Sequence, residues 1–171
     1  MKRKPNLSLY PFVLRSELMQ LSDVFLGLGE QNFQQLLSTV SMGKLKTYQL
    51  YDRLKARGHF VKLNSESLRK AGPRLWARMS ERNEEYATDL AQAILVSNLD
   101  MIRAVLDELG IPHEDGFFSK DTDVSQYLQG DWQRRIFERF EGQFPKAALV
   151  FYLNHLGWEV GKQQELFQPT G

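Results

Sequence analysis

Apolar residues recur along this chain at steps of three and four, and almost nowhere at steps of two. That period predicts amphipathic helices rather than strands. Leu18, Leu21, Phe25 and Leu28 form the first stripe, behind Ser16 as N-cap and ahead of Gly29 as terminator. Phe33, Leu36, Leu37 and Val40 mark a second helix, which stops near Gly43. A third covers residues 44–57, with Tyr48, Tyr51 and Leu54 on one face and Gly58 at its end. Phe60-Val61-Lys62-Leu63 is the one stretch with a strand's character. Asn64 or Ser65 then caps a short helical turn. Gly72-Pro73 reads as one stop and one start, because proline suits the first turn of a helix.

The longest periodic run extends from about Asn83 to Leu109. Ala91, Leu95, Leu99, Ile102, Leu106 and Leu109 make its main stripe, and Ile94, Met101 and Val105 broaden it. So wide a stripe predicts neighbours on more than one side and a central place in the fold. Gly110-Ile111-Pro112 ends the run. Helical segments follow at 124–129 and 131–141, and Pro145 opens a last helix closed by Gly157, which leaves Trp158 beyond it at a surface or interface. The expectation is an all-α domain of about six to eight helices around a long central helix. Residues 1–15 read as a basic, extended segment, 16–158 as a single helical domain, and 159–171 as a weakly ordered tail.

Composition narrows the class. With 42% apolar and 25% charged residues in 171, the chain is that of an ordinary globular protein. The longest apolar run, Ala147 to Leu153, falls far short of the roughly 18–20 residues that span a bilayer. The start lacks the apolar core of an export signal. With no cysteine, disulfides and thiolate chemistry are absent. These features predict a cytoplasmic protein without a membrane partner.

Charge changes the picture most. The formal net charge is +1, yet residues 1–82 carry 15 Lys+Arg against 6 Asp+Glu, and residues 83–171 carry 7 against 15. The first part is therefore +9 and the second −8, with the acidic subregion at 83–141. Residues 44–82 alone hold eleven basic side chains. Lys46, Arg53 and Arg57 fall on one helical stripe, and Arg74, Arg78 and Arg82 recur every four residues. Such stripes suit phosphate backbones, because guanidinium and ammonium groups displace condensed counterions. A helix-turn-helix does not account for them. With Gly43 as the turn glycine, the second helix needs apolar residues about six and nine positions later, and these are Gln49 and Asp52.

Catalytic chemistry has no such signature. No metalloprotease, nucleophile-elbow, P-loop or dinucleotide pattern occurs, so no catalytic residue or cofactor is assigned. His113, Glu114, Asp115, Asp121 and Asp123 crowd one loop, but their spacing fits no known metal site, and no metal is assigned either. His155 sits near a helix C-terminus, where the dipole mildly favours a cation. The sequence thus predicts a non-enzymatic binding protein that contacts nucleic acid or another polyanion through Lys46, Arg53, Arg57, Arg74, Arg78 and Arg82. The alternative is a helical interaction or oligomerisation module in which basic and acidic halves meet. A third reading is a small enzyme or ligand binder using the 113–123 loop.

Overall fold

The computed structural model describes residues 19–161 and 165–169. The extended segment 1–15 and the Ser16 cap lie outside them. Within the described residues the chain is all-α, with ten α-helices and no strand. The helices are α1 (Leu21–Leu26), α2 (Glu30–Leu37), α3 (Met42–Thr47), α4 (Tyr51–Arg57) and α5 (Ser65–Lys70), then α6 (Gly72–Met79) and α7 (Glu84–Ser97). After these come α8 (Leu99–Leu109), a 3-10 turn at Val124–Tyr127, α9 (Trp132–Phe140) and α10 (Lys146–Glu159). The count exceeds six to eight because the expected first helix of the basic region divides into α3 and α4, and the long run at 83–109 divides into α7 and α8.

The second division has a local cause. Asn98 turns its side-chain amide onto the carbonyl of Ile94 at 2.8 Å, and the Ser97 hydroxyl donates to Ala93 at 2.7 Å. Side chains of this type compete with the helical ladder for its own acceptors. The backbone at Asn98 leaves the helical region, and its N–H tightens onto Leu95 instead. Asn98 also donates to Thr39 Oγ1 at 3.0 Å, and Ser97 Oγ accepts from the Ser41 N–H at 2.8 Å. The break is therefore where α7 and α8 are fastened to the α2–α3 connection.

α10 is a centre of the fold beside the 83–109 run. Residues 147–157 are buried without exception. A helix apolar on all sides must be surrounded, and α10 packs on α1, α2 and α9. Rings carry this contact outward. Phe151 lies 4.6 Å from Phe25, Phe25 meets Phe33 edge-on at 5.9 Å, and Phe33 meets Trp76 at 5.3 Å. α7 forms the second hub, against α1, α3, α4 and α8. The 60–63 stretch is irregular.

Helix ends follow the chemistry expected of them in part. Asn64 caps α5, and Gly110 closes α8 in the left-handed conformation, with the Ile111 N–H returning to Leu106. Gly157 does not end the last helix. α10 runs on to Glu159, and the indole of Trp158 is half-buried and donates to the carbonyl of Met19 at 2.9 Å. Part of the segment read as a weakly ordered tail lies against the bundle. Phe167 is buried, its N–H donates to Asn154 Oδ1 at 2.6 Å, and its carbonyl accepts from Asn154 Nδ2 at 3.1 Å.

Asn154→Ala removes both partners and leaves two buried backbone groups unsatisfied. The expected loss is about 2–4 kcal/mol of unfolding free energy, read by urea denaturation. A change within about 0.5 kcal/mol, the range of an uninvolved surface site, contradicts the clasp.

Candidate polyanion-binding face

The basic residues are arranged around the connection from α4 to α5. α4 ends at Gly58, and a side chain there would collide with the Phe60 ring at 2.3 Å. Glycine thus lets Phe60 fold back over the helix end, where its N–H returns to the Lys55 carbonyl at 2.9 Å. His59 takes a left-handed conformation to make the turn and remains exposed. The Tyr51 hydroxyl donates to the carbonyl of Leu63 at 3.0 Å, which ties the far side of the loop to α4.

The six predicted contact residues divide into two groups. Arg53, Arg57 and Arg82 meet carboxylates. Arg57 Nε donates to Asp89 Oδ2 at 2.9 Å, and its Nη2 reaches Glu85 at 2.6 Å. Arg53 lies 3.6 Å from the other oxygen of Asp89 and donates to Gln92 at 2.7 Å. Arg82 pairs with Asp23 at 2.8 Å. Lys46, Arg74 and Arg78 instead stand over the rings of Tyr51, Phe60 and Tyr86, at 5.2, 5.5 and 5.2 Å. These three have no carboxylate partner among the described residues.

Asp89 explains the first group. It lies on α7, facing α4, with only 7% of its surface exposed. A buried carboxylate needs partners, and the two arginines of α4 supply them. The hydrogen bond to Asp89, and then the charge of Glu85, hold the Arg57 guanidinium still more firmly in its charged form. Among the described residues Glu84 pairs with no basic side chain. It accepts from the N–H groups of Leu21 and Ser22, at 2.8 and 3.4 Å, and so closes the open end of α1.

Arg78 behaves differently. Its side chain makes no hydrogen bond among the described residues, and its Nε is sealed from solvent. It stacks on Tyr86, whose hydroxyl donates to Leu75 at 3.3 Å. Burial pushes the Tyr86 phenol upward, and the charges of Arg78 and Arg74 oppose that shift. Arg53, Arg57, His59 and Arg78 line one shallow depression of about 350 Å³, with Asp52 and Ala56. The α-helical stripes place Arg53, Arg57 and Arg78 there. The contribution of His59 comes from the reversal after Gly58, which no periodicity reveals.

The acidic loop is organised by one histidine. His113 Nδ1 accepts from the Gly116 N–H at 3.0 Å, so Nε2 carries the proton and donates to Asp107 at 2.7 Å. Among the described residues no three or more His, Asp or Glu side chains are grouped to hold a metal ion. The turn brings Gly116, Phe117 and Phe118 over α8 and α10. Beneath them lie Tyr152, His155 and Glu159, which helical spacing places on one face of α10. His155 is not a surface cation. Burial pushes it down to about 4, so the desolvation cost overrides the helix dipole.

No protein-family model, curated protein or solved structure matches this chain. What the face does must follow from its geometry.

Two outcomes test this description. Arg57→Ala leaves Asp89 without its nearest partner and is expected to lower the melting temperature. Arg57→Ala combined with Asp89→Leu should recover most of that loss, because the uncompensated buried charge is gone. Equal losses in both variants contradict the pairing. The second outcome concerns pH. His155 binds its proton more readily unfolded, near its ordinary value of about 6.5, than folded. Its contribution to stability is complete above about 6.5 and lost as pH falls toward about 4, with a slope of up to about 1.4 kcal/mol per pH unit. Glu159, whose carboxyl is raised by burial, acts in the opposite sense, favouring the folded state when protonated. Trp158 and Phe151 are the rings against His155 and do not titrate. Urea unfolding across this range should show that slope in the parent and its disappearance in His155→Leu.

Proposed function

We propose that this protein is a non-enzymatic binding protein that takes a phosphate-bearing polyanion, with nucleic acid as the fitting case, on the face around residues 58–64. The observation that carries the reading is the convergence of Arg53, Arg57, Arg78 and His59 on one depression. Arg78 there, and Arg74 one turn before it on α6 over the Phe60 ring, have no carboxylate partner among the described residues. Lys46, Arg74 and Arg78 supply the free charge. Arg53 and Arg57 form the wall of the depression, with part of their charge already neutralised by Asp89 and Glu85. Arg82 is drawn away to Asp23 and contributes little. Contacts of this kind hold a phosphate backbone without reading bases.

The interaction-module reading draws on a separate observation. Tyr48 and Phe117, both exposed, lie with ring centroids 6.3 Å apart and join the basic side of the surface to the acidic turn.

Fluorescence anisotropy with labelled DNA and RNA oligonucleotides, titrated across salt, separates the two. The expected result is binding whose log affinity falls linearly with log salt. The double variant Arg74→Ala/Arg78→Ala should reduce that slope by about 0.7–0.9 for each lost contact. Arg82→Ala should leave affinity within about twofold, as expected for a charge outside the contact. An unchanged slope in the double variant, or no binding at about 50 mM salt, overturns the reading. Salt-sensitive self-association in size-exclusion chromatography, without oligonucleotide binding, favours the interaction module.

A further inference from the structure

The cavity under the 113–118 turn is the second place where buried polar chemistry meets open space. It holds about 150 Å³, on the scale of a cavity that admits benzene. Leu95, Leu99 and Ile102 form one wall, and Phe117 and Phe118 form the cover. Gly116 holds the cover down. Its φ is +93°, and a side chain there would press on Leu99 and Ile102 at 3.3 and 3.4 Å.

The remaining wall is polar. Tyr152, His155 and Glu159 line it, one turn apart along α10. The His155 side chain is nine-tenths buried, and its Nδ1 is sealed from solvent with no hydrogen-bond partner among the described residues. Glu159 approaches Nδ1 only to 3.9 Å, beyond hydrogen-bond reach. Native proteins rarely leave a buried imidazole unsatisfied without a use for it.

We propose that this cavity is a binding site for a small, mainly apolar molecule carrying one hydroxyl group, of about the size of phenol. The apolar walls and aromatic cover take the body of the ligand. A hydroxyl suits the polar wall because it donates and accepts, so it serves either tautomer of His155 and reaches a carboxylate acceptor in Glu159. The site is independent of the basic face, and neither depends on the other for its test.

The test uses phenol and toluene as probes, followed by amide chemical shifts of the intact chain. Saturable shifts at Gly116, Phe117 and Phe118 are expected for phenol, with toluene at least about tenfold weaker, the worth of one hydrogen bond. His155→Leu removes an unpartnered polar group and should retain the fold, while phenol loses its advantage over toluene. Leu95→Trp, at a half-exposed position on the rim, fills the cavity and should abolish both shifts. Equal affinity for the two probes in the parent chain overturns the hydroxyl preference. Absence of saturable shifts at the cover, or phenol binding unchanged in Leu95→Trp, overturns the site.

Discussion

The requirement that α10 be covered on every side governs the architecture. Eleven consecutive buried residues leave no face for solvent, so the helices next to it are arranged as its wrapping. α1, α2 and α9 make the contact directly, and the sequence of rings from Phe151 through Phe25 and Phe33 to Trp76 passes it to α6. The same constraint sets the terms for polar groups on that helix. Asn154 survives in the interior because it completes the backbone of Phe167, and His155 survives there by remaining neutral.

A second constraint acts on charge. Asp89 on the inner face of α7 demands cations, and α4 is oriented to supply Arg53 and Arg57. One buried carboxylate thereby fixes a helix–helix contact and draws two of the basic side chains partly out of play. Of the six predicted contact residues, those left over are seated on aromatic rings, where the ring face favours a positive charge without cancelling it. Geometry thus divides a basic stretch that looks uniform in sequence into fasteners and free charges.

The helical class, the caps at Asn64 and Gly110 and the join at Gly72-Pro73 were legible because each rests on chemistry within a few residues. The break at Asn98 was less so. Its cause is a side chain bonding backward onto its own helix, and the apolar stripe passes through it without interruption. The breadth of the stripe at 83–109 reports how many sides are covered but not by what, and so does not show that α10 is a hub beside it. Of the basic residues, the repeat placed Arg53, Arg57 and Arg78 on helical faces, but only tertiary packing decides which of them finds a carboxylate. The polar wall of the cavity was present as the spacing of Tyr152, His155 and Glu159. It has meaning only when the turn at 113–118 is laid over it.

The hydrogen bonds that fasten α1 reach far along the chain. Its N-terminal turn is closed by Glu84, Met19 just before it receives Trp158, and Gly27 at its other end receives Gln168, 141 residues later. A ribosome releases these partners in that order. The first described helix therefore completes its contacts only once residue 168 has emerged, and the sides of α1 and α2 that meet α10 stay uncovered until α10 follows α6 and α7. Pairings so far apart in the chain are of the kind that close late, and the interval before they close is when the aromatic core is most open to association with other chains.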